Sequence, residues 1–397
     1  MRAILLGAVL VLSGPVATPD HRVVPAEWTG PAGSSKPSLT RTPRGELLLS
    51  WLEPRPDHHF ALRVAGTSQG RWSEPVTVAD TDRFFVNWAD FPSVVETTRG
   101  MWVVHWLEKS AAKSYAYDIR LATSNDRGRT WSTPITAHRD GTATEHGFVS
   151  MVPRADGSVA IAWLDGRQMA DSGGTMSVRT ATLSPAGRIE REQMLDPRTC
   201  ECCQVSMTAA RQGLVAVYRD RSDDEVRDIA VVREVGGRWT APRPVAADRW
   251  VWKACPVNGP SVSAINDDVG VAWFTAAGGT PKVKVAFSRD GGATFGDPIR
   301  VDNGNTLGRI HFQLTSPGQG ALVWLEADGN DAVWLARTVG PAGAGPIQRI
   351  ARTSRARDAG FPRTALVNGD LWVAFAETQA TAGLSDRVQV KKVTFAR

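Results

Sequence analysis

The chain is short of tyrosine and cysteine, with three Tyr and four Cys among 397 residues. So few tyrosines narrow any chemistry that needs a phenolate. So few cysteines exclude a fold held together by a dense disulfide framework. Beyond the N-terminus no segment approaches the roughly 18 uninterrupted apolar residues of a membrane helix, so no later membrane span is expected. Long apolar stretches of helical period are missing as well, which leaves an all-β chain. Lys and Arg outnumber Asp and Glu to give a net charge of +5, but without a basic run or helix. No nucleic-acid partner is therefore expected. No P-loop, dinucleotide fingerprint, zinc-protease helix or G-x-S-x-G elbow is found.

One apolar run does exist, from Ala3 to Leu12 after Met1-Arg2, followed by Ser13, Gly14, Pro15, Val16 and Ala17. This pattern reads as a signal peptide over residues 1–17, although Pro15 sits awkwardly before a cut after Ala17. An uncleaved anchor is the alternative, and no Cys follows the run to carry a lipid. Residues 22–397 are then expected as a periplasmic or secreted domain, with no membrane contact after cleavage.

What is abundant is a repeat. A small or Pro-Ser turn is followed, about a dozen residues later, by an apolar strand ending in an aromatic and usually an acid. The copies start at Pro37, Pro92, Val149, Val205, Pro260, Phe312 and Phe361, which are 55, 57, 56, 55, 52 and 49 residues apart. A period near 50 with short strands predicts a single β-propeller of four-stranded blades. Seven blades are predicted, with six as the alternative. The last copy lacks a fourth strand, and Arg22 to Trp28 can supply it, closing the ring and removing its free edges. Such a ring is expected as a monomer.

Two turns carry a sharper signature. Ser124–Trp131 (SNDRGRTW) and Ser288–Phe295 (SRDGGATF) both fit S-x-D-x-G-x-T-[W/F]. The Asp can accept turn N–H groups, the Gly permits positive φ, and the aromatic plugs between sheets. These turns resemble the Asp box, or BNR repeat, of the sialidase superfamily. The chain is most similar to bacterial exported sialidase-like proteins in its Cys200–Gln204 (CECCQ), Tyr218–Val231 (YRDRSDDEVRDIAV) and Cys255–Pro260 (CPVNGP) segments.

The resemblance implies that the Asp boxes lie opposite the active face. It also implies an exo-α-sialidase-type glycoside hydrolase with an Arg triad, a Tyr nucleophile activated by Glu, and an Asp acid/base. Tyr115 or Tyr117 near Glu108 are the candidate nucleophiles, and Asp165 is a further catalytic candidate. Tyr218 occupies the aromatic column of strand B and reads as core. The chain departs from the family pattern at the first blade, where Lys36-Pro37-Ser38 replaces Arg-Ile-Pro, and in having seven repeats where family sialidases have six blades.

The strand-B ends place Glu53, Glu108, Asp165, Asp220, Glu326 and Glu377 around one mouth, either as an acidic ring or as structural acids. All four cysteines fall in two neighbouring connections on that face, in equivalent positions, and His146 stands one blade away at the same offset as Cys202. Disulfides are one reading. A copper or zinc site of Cys200, Cys202, Cys203, Cys255 and His146 is another, and a redox dithiol is a third. Arg167, Arg219, Arg221, Arg227 and Arg309, with Asn258 and His311, gather on the same side. They are candidate binders of a small polar or anionic ligand such as a glycan, contacting blades three to six.

Overall fold

A computed structural model describes residues 26–113, 115–171, 173–378 and 386–395. The segment read as a signal peptide and residues 22–25 of the closing strand lie outside the described residues. The chain folds as seven antiparallel sheets. Their innermost strands, A, are Ser35–Arg41, Ser93–Glu96, His146–Pro153, Ser206–Ala210, Ser261–Ile265, Thr306–Ser316 and Arg363–Val367. Each pairs with a strand B, which pairs with C, and D lies outermost.

The repeated aromatic explains why the sheets form a ring. The buried apolar residues fall into seven clusters, each centred on two neighbouring blades; the one between blades three and four also takes in Ala89, Phe91 and Phe361 from the entries to blades two and seven. Trp51, Trp106, Trp163, Tyr218, Trp273, Trp324 and Phe375 each enter the cluster shared with the preceding blade. One blade has an apolar face and nothing to cover it; seven cover one another. Tyr218 is core, as its column predicts, and its hydroxyl donates to Asp196 Oδ2 at 2.7 Å.

The seventh blade takes its outer strand from the other end of the chain. Trp28 and Thr29 pair antiparallel with Val390 and Gln389 of Arg387–Val393. The closure predicted from the short last repeat is therefore present.

Strand D is short in the two blades with full Asp boxes, covering only Ile135–Thr136 and Ile299–Arg300. The boxes hold the intervening residues in turns: Asp126 Oδ1 accepts Thr130 N–H, and Asp290 Oδ1 accepts Thr294 N–H, both at 2.9 Å. Pro134 and Pro298 then deny the ladder a donor. Pro75, Pro242 and Pro346 mark the breaks that split strand D in blades one, four and six. Proline thus sits on the outer strand, where a lost donor faces solvent rather than a partner.

Candidate functional site

Around the axis, the A strands of all seven blades line a channel of about 700 Å³ that includes Ser38, Ser93, Ser150, Ser206, Ser263 and Thr364. Many of these hydroxyls are spent on neighbouring strands: Ser150 accepts Met207 N–H, Ser206 accepts Val262 N–H and Ser263 accepts Leu314 N–H. The channel is a seam of inter-blade hydrogen bonds.

A second cavity, of about 270 Å³, lies at the face where the D–A and B–C connections emerge. Its wall comes from the entries to several blades: Asn87, Trp88 and Ala89; Tyr115 and Tyr117; Glu145 and Phe148; Glu201 and Cys202; Cys255 and Val257; and Arg357. Two wall residues, Phe148 and Val257, have φ of 55° and 47°, in the left-handed region that a β-branched residue such as Val rarely adopts. Phe148 sits in the bulge where the pairing of strand A with strand B shifts between Gly147 and Ser150. Bulges of this kind re-aim side chains next to sites.

Tyr117 and Glu145 meet in this wall. Tyr117 stacks on Phe85 with ring centroids 3.9 Å apart, and Tyr117 and Glu145 influence one another's ionisation across the cavity wall. Burial pushes the Glu145 carboxyl up to about 7. Behind them Asp90 is buried and accepts the Phe148 N–H at 2.6 Å, and burial pushes it too up to about 7. Burial and the carboxylates of Asp90 and Glu145 raise Tyr117 well above the usual phenol range. That is the wrong direction for a nucleophile. Tyr115 is exposed at the rim. Glu108, expected beside the tyrosines, instead pairs with Arg83 at 3.3 Å.

The thiols converge as expected, without a disulfide among the four. Cys200 Sγ lies 3.4 Å from Cys203 Sγ and 3.8 Å from Cys202 Sγ. Cys200 and Cys203 are buried, whereas Cys202 and Cys255 reach the cavity wall. Arg227 Nη1 donates to Cys200 Sγ at 3.1 Å. Hydrogen bonds from Cys202 and Cys203, with Arg219 nearby, hold the Cys200 thiol far below its ordinary value. Burial and the Cys200 charge push Cys203 up.

His146 does not join them. Its ring stacks on His138 at 3.7 Å, Nε2 lies 3.2 Å from Asp140 and 3.9 Å from Asp165, and Nδ1 lies 3.3 Å from the Tyr117 carbonyl. The offset along the chain is right but the parity is not. Neighbouring residues of an extended strand point opposite ways, so Glu145 faces the cavity and His146 faces the sheet interior. Burial disfavours charge on His146, but Asp140 and Asp165 outweigh it and raise its pKa. Asp165 is equally structural: it accepts the Trp163 indole N–H at 2.7 Å, two bonds from the Arg167 guanidinium, at 2.7 and 2.8 Å, and the Arg167 backbone N–H at 3.1 Å.

The gathered arginines are engaged inside the protein. Arg219 donates to the carbonyls of Asn258, Arg227 and Phe274. Arg221 binds Glu225 and Glu201, Arg227 binds Glu225 and the Trp252 carbonyl, and Arg309 binds the Ala356 carbonyl. Asn258 is a brace: its Oδ1 accepts Arg309 N–H at 2.7 Å. His311 lines the axial channel, where Thr364 N–H donates to its Nδ1 at 3.1 Å. Arg357 is the cation that reaches the cavity wall, 5.8 Å from the centre of the Trp88 ring.

Sequence reasoning missed Asn87, Trp88, Glu145, Glu201 and Arg357 as wall residues. Within CECCQ and CPVNGP it gave roles to the cysteines and Asn258 but none to Gln204 or Gly259. Gln204 Nε2 donates to Ala89 O at 2.7 Å and its Oε1 accepts Gly259 N–H at 2.9 Å. A Cβ on Gly259 would stand 2.4 Å from Gln204 O, so only glycine lets the two loops close.

Residues 53–305 match the BNR repeat-like domain family. Among solved structures, a protein of unknown function from Dyadobacter fermentans is similar over 93% of this chain and 96% of its own, at 13% identity and a TM-score of 0.50. A variant of NanB sialidase from Streptococcus pneumoniae is similar at 10% identity and a TM-score of 0.48, over 87% of this chain and 83% of its own. An α-L-arabinanase from Penicillium chrysogenum, complexed with arabinobiose, stands at 12% and 0.48, over 92% and 98%. No curated protein sequence matches the chain.

Proposed function

The chain belongs to the BNR repeat-like domain family, and from that premise we propose that it is an exported recognition propeller that holds a small polar ligand, a glycan or part of one, in the cavity beside the cysteines. The observation that carries this reading is the wall itself. Tyr115 offers an exposed aromatic ring and Trp88 an indole held between Phe361, at 5.7 Å, and Arg309, at 4.9 Å; Asn87, Glu145 and Glu201 offer acceptors, and Arg357 offers one cation. Flat aromatic rings beside a few placed polar groups suit a ring of hydroxyls and C–H faces. With most arginines engaged internally, a neutral or weakly anionic ligand fits better than a polyanion. The Ala3–Leu12 run supports export.

A second reading, sialoside hydrolysis, is favoured by Tyr117 and Glu145 sharing one cavity wall. It is opposed by the upward shift of the Tyr117 phenol and by its burial.

Binding to a panel of mono- and oligosaccharides, followed by titration of the hits, tests both readings. At least one saccharide is expected to bind without turnover, and Trp88→Ala is expected to weaken it by about tenfold or more. A panel with no binder sinks the recognition reading. Turnover of a fluorogenic sialoside that Tyr117→Phe abolishes replaces it with the hydrolase.

A further inference from the structure

We propose that Cys200, Cys202 and Cys203 form a thiolate site for a single closed-shell, thiophilic ion, Cu(I) or Zn(II). This goes beyond the glycan reading and does not rest on it.

Three observations converge. First, the spacing fits an ion: tetrahedral Zn–S bonds of about 2.3 Å hold thiolates about 3.8 Å apart. Cys200 lies 3.8 Å from Cys202 and 3.4 Å from Cys203, and one ligand atom from each of the three falls within 4.8 Å of the others.

Second, the charge is provided for. Three thiolates around a monovalent or divalent ion leave net negative charge in a buried place, which is costly without cations. Arg227 Nη1 donates to Cys200 Sγ at 3.1 Å. Arg227 is itself fixed by Glu225, at 2.8 Å, and by the Trp252 carbonyl, at 2.7 Å. It acts through Cys200 and is a positioning residue.

Third, the loop is held independently of any ion. Cys200 N–H donates to the Arg219 carbonyl at 3.0 Å, and Gln204 bonds Ala89 and Gly259. A preformed cradle spends less binding free energy on ordering its ligands. The donor set is all sulfur, which selects thiophilic d10 ions over Mg(II) or Ca(II). Binding replaces each remaining S–H proton with a sulfur–metal bond and releases that proton to solvent, with no change of oxidation state.

The test uses the full chain isolated without reductant. Its metal content is measured, its non-reduced mass is taken under denaturing conditions, and Zn(II) and Cu(I) are titrated in separate arms against competing chelators. One ion per chain with every thiol reduced is expected. Cys200→Ser and Cys203→Ser should each weaken it by more than about 100-fold. Arg227→Lys should weaken it about tenfold, the lower end of outer-shell effects.

Thermal unfolding of the metal-free variants separates lost binding from lost folding, and the wild-type titrations need no variant. Three results each overturn the site: no retention of either ion above buffer, affinity unchanged in Cys200→Ser, or a mass lighter by the hydrogens of a Cys200–Cys203 disulfide. Preference for Zn(II) or Cu(I) decides which ion of the class is held.

Discussion

Asp90 is a carboxyl with almost no water around it and one strong partner, the Phe148 N–H at 2.6 Å. It fits only because residue 147 is glycine, where a Cβ would stand 2.1 Å from Asp90 Oδ2. Burial pushes its pKa up to about 7 from an ordinary 3.8. The folded state then holds a proton that the unfolded state has released, so the contribution of Asp90 to stability is greatest below about pH 4 and falls as pH rises towards 7. Asp90→Asn keeps an acceptor for Phe148 and does not titrate. The stability of the wild type relative to Asp90→Asn is expected to fall by roughly 2–4 kcal/mol between pH 4 and 7 and then level off. Urea unfolding at several pH values measures it; a flat difference means that Asp90 is not held protonated. None of this is legible in the sequence, because an Asp in an Ala-Asp-Phe-Pro segment gives no sign of the strand that will cover it. Gly259 differs only in degree: its segment stands out, but the backbone it must approach lies in another blade.

At the scale of the strand, the column of aromatic-x-acid at the strand-B ends was legible as a column but not as a mechanism. Residues two apart on a strand share a face, so the acid can accept its own tryptophan's indole N–H. Trp51 with Glu53, Trp163 with Asp165 and Trp324 with Glu326 do so at 2.9, 2.7 and 3.0 Å. Blade five shows the rule by exception: Thr275 replaces the acid, and Trp273 turns to Asp248 at 2.7 Å. In blades one, three and six the acid is tied to its own tryptophan, whereas Trp106 Nε1 finds no partner in Glu108; the carboxylates that reach the cavity, Glu145 and Glu201, lie outside the column.

Parity explains the error with His146 as well, since a shift of one residue along a strand reverses the face. The same motif in two settings gives a comparison. Asp165 is fully buried and neutralises Arg167, whereas Glu53 is partly exposed, with Arg63 at 3.6 Å. Asp165→Asn is expected to cost about 2–3 kcal/mol, through weakened buried hydrogen bonds to a charged partner, although Arg167 keeps Glu192 at 2.7 Å. Glu53→Gln is expected to cost no more than about 1 kcal/mol. Equal shifts in the urea midpoint would mean that burial does not set the worth of these acids.

The ring as a whole was the most legible level, because a period near 50 and an incomplete last unit are properties of the sequence alone. What it could not convey is how much rests on the closing strand. Thr29 Oγ1 donates to Gln389 Oε1 at 2.7 Å across 360 residues of chain, and Lys392 N–H donates to Glu27 Oε1 at 3.1 Å. Trp28 packs on Trp51 at 4.8 Å and on Trp72 at 6.2 Å, so a strand of blade seven is also anchored to blade one.

Closing so long a loop costs only slightly more than closing a shorter one, since the entropy grows with the logarithm of length. The contacts that repay it are concentrated in a few residues. Trp28→Ala is expected to lower stability by about 2–3 kcal/mol through lost burial. Deleting residues 1–29 removes the pairing of Arg387–Val393 and bares its outer edge, which is a template for another chain. The intact protein should elute as a monomer, the point variant as a less stable monomer, and the truncated one as concentration-dependent oligomers. Light scattering with thermal unfolding distinguishes these outcomes. A truncated protein that stays monomeric and melts with the wild type would show that six complete blades and three strands hold the ring without the closing strand.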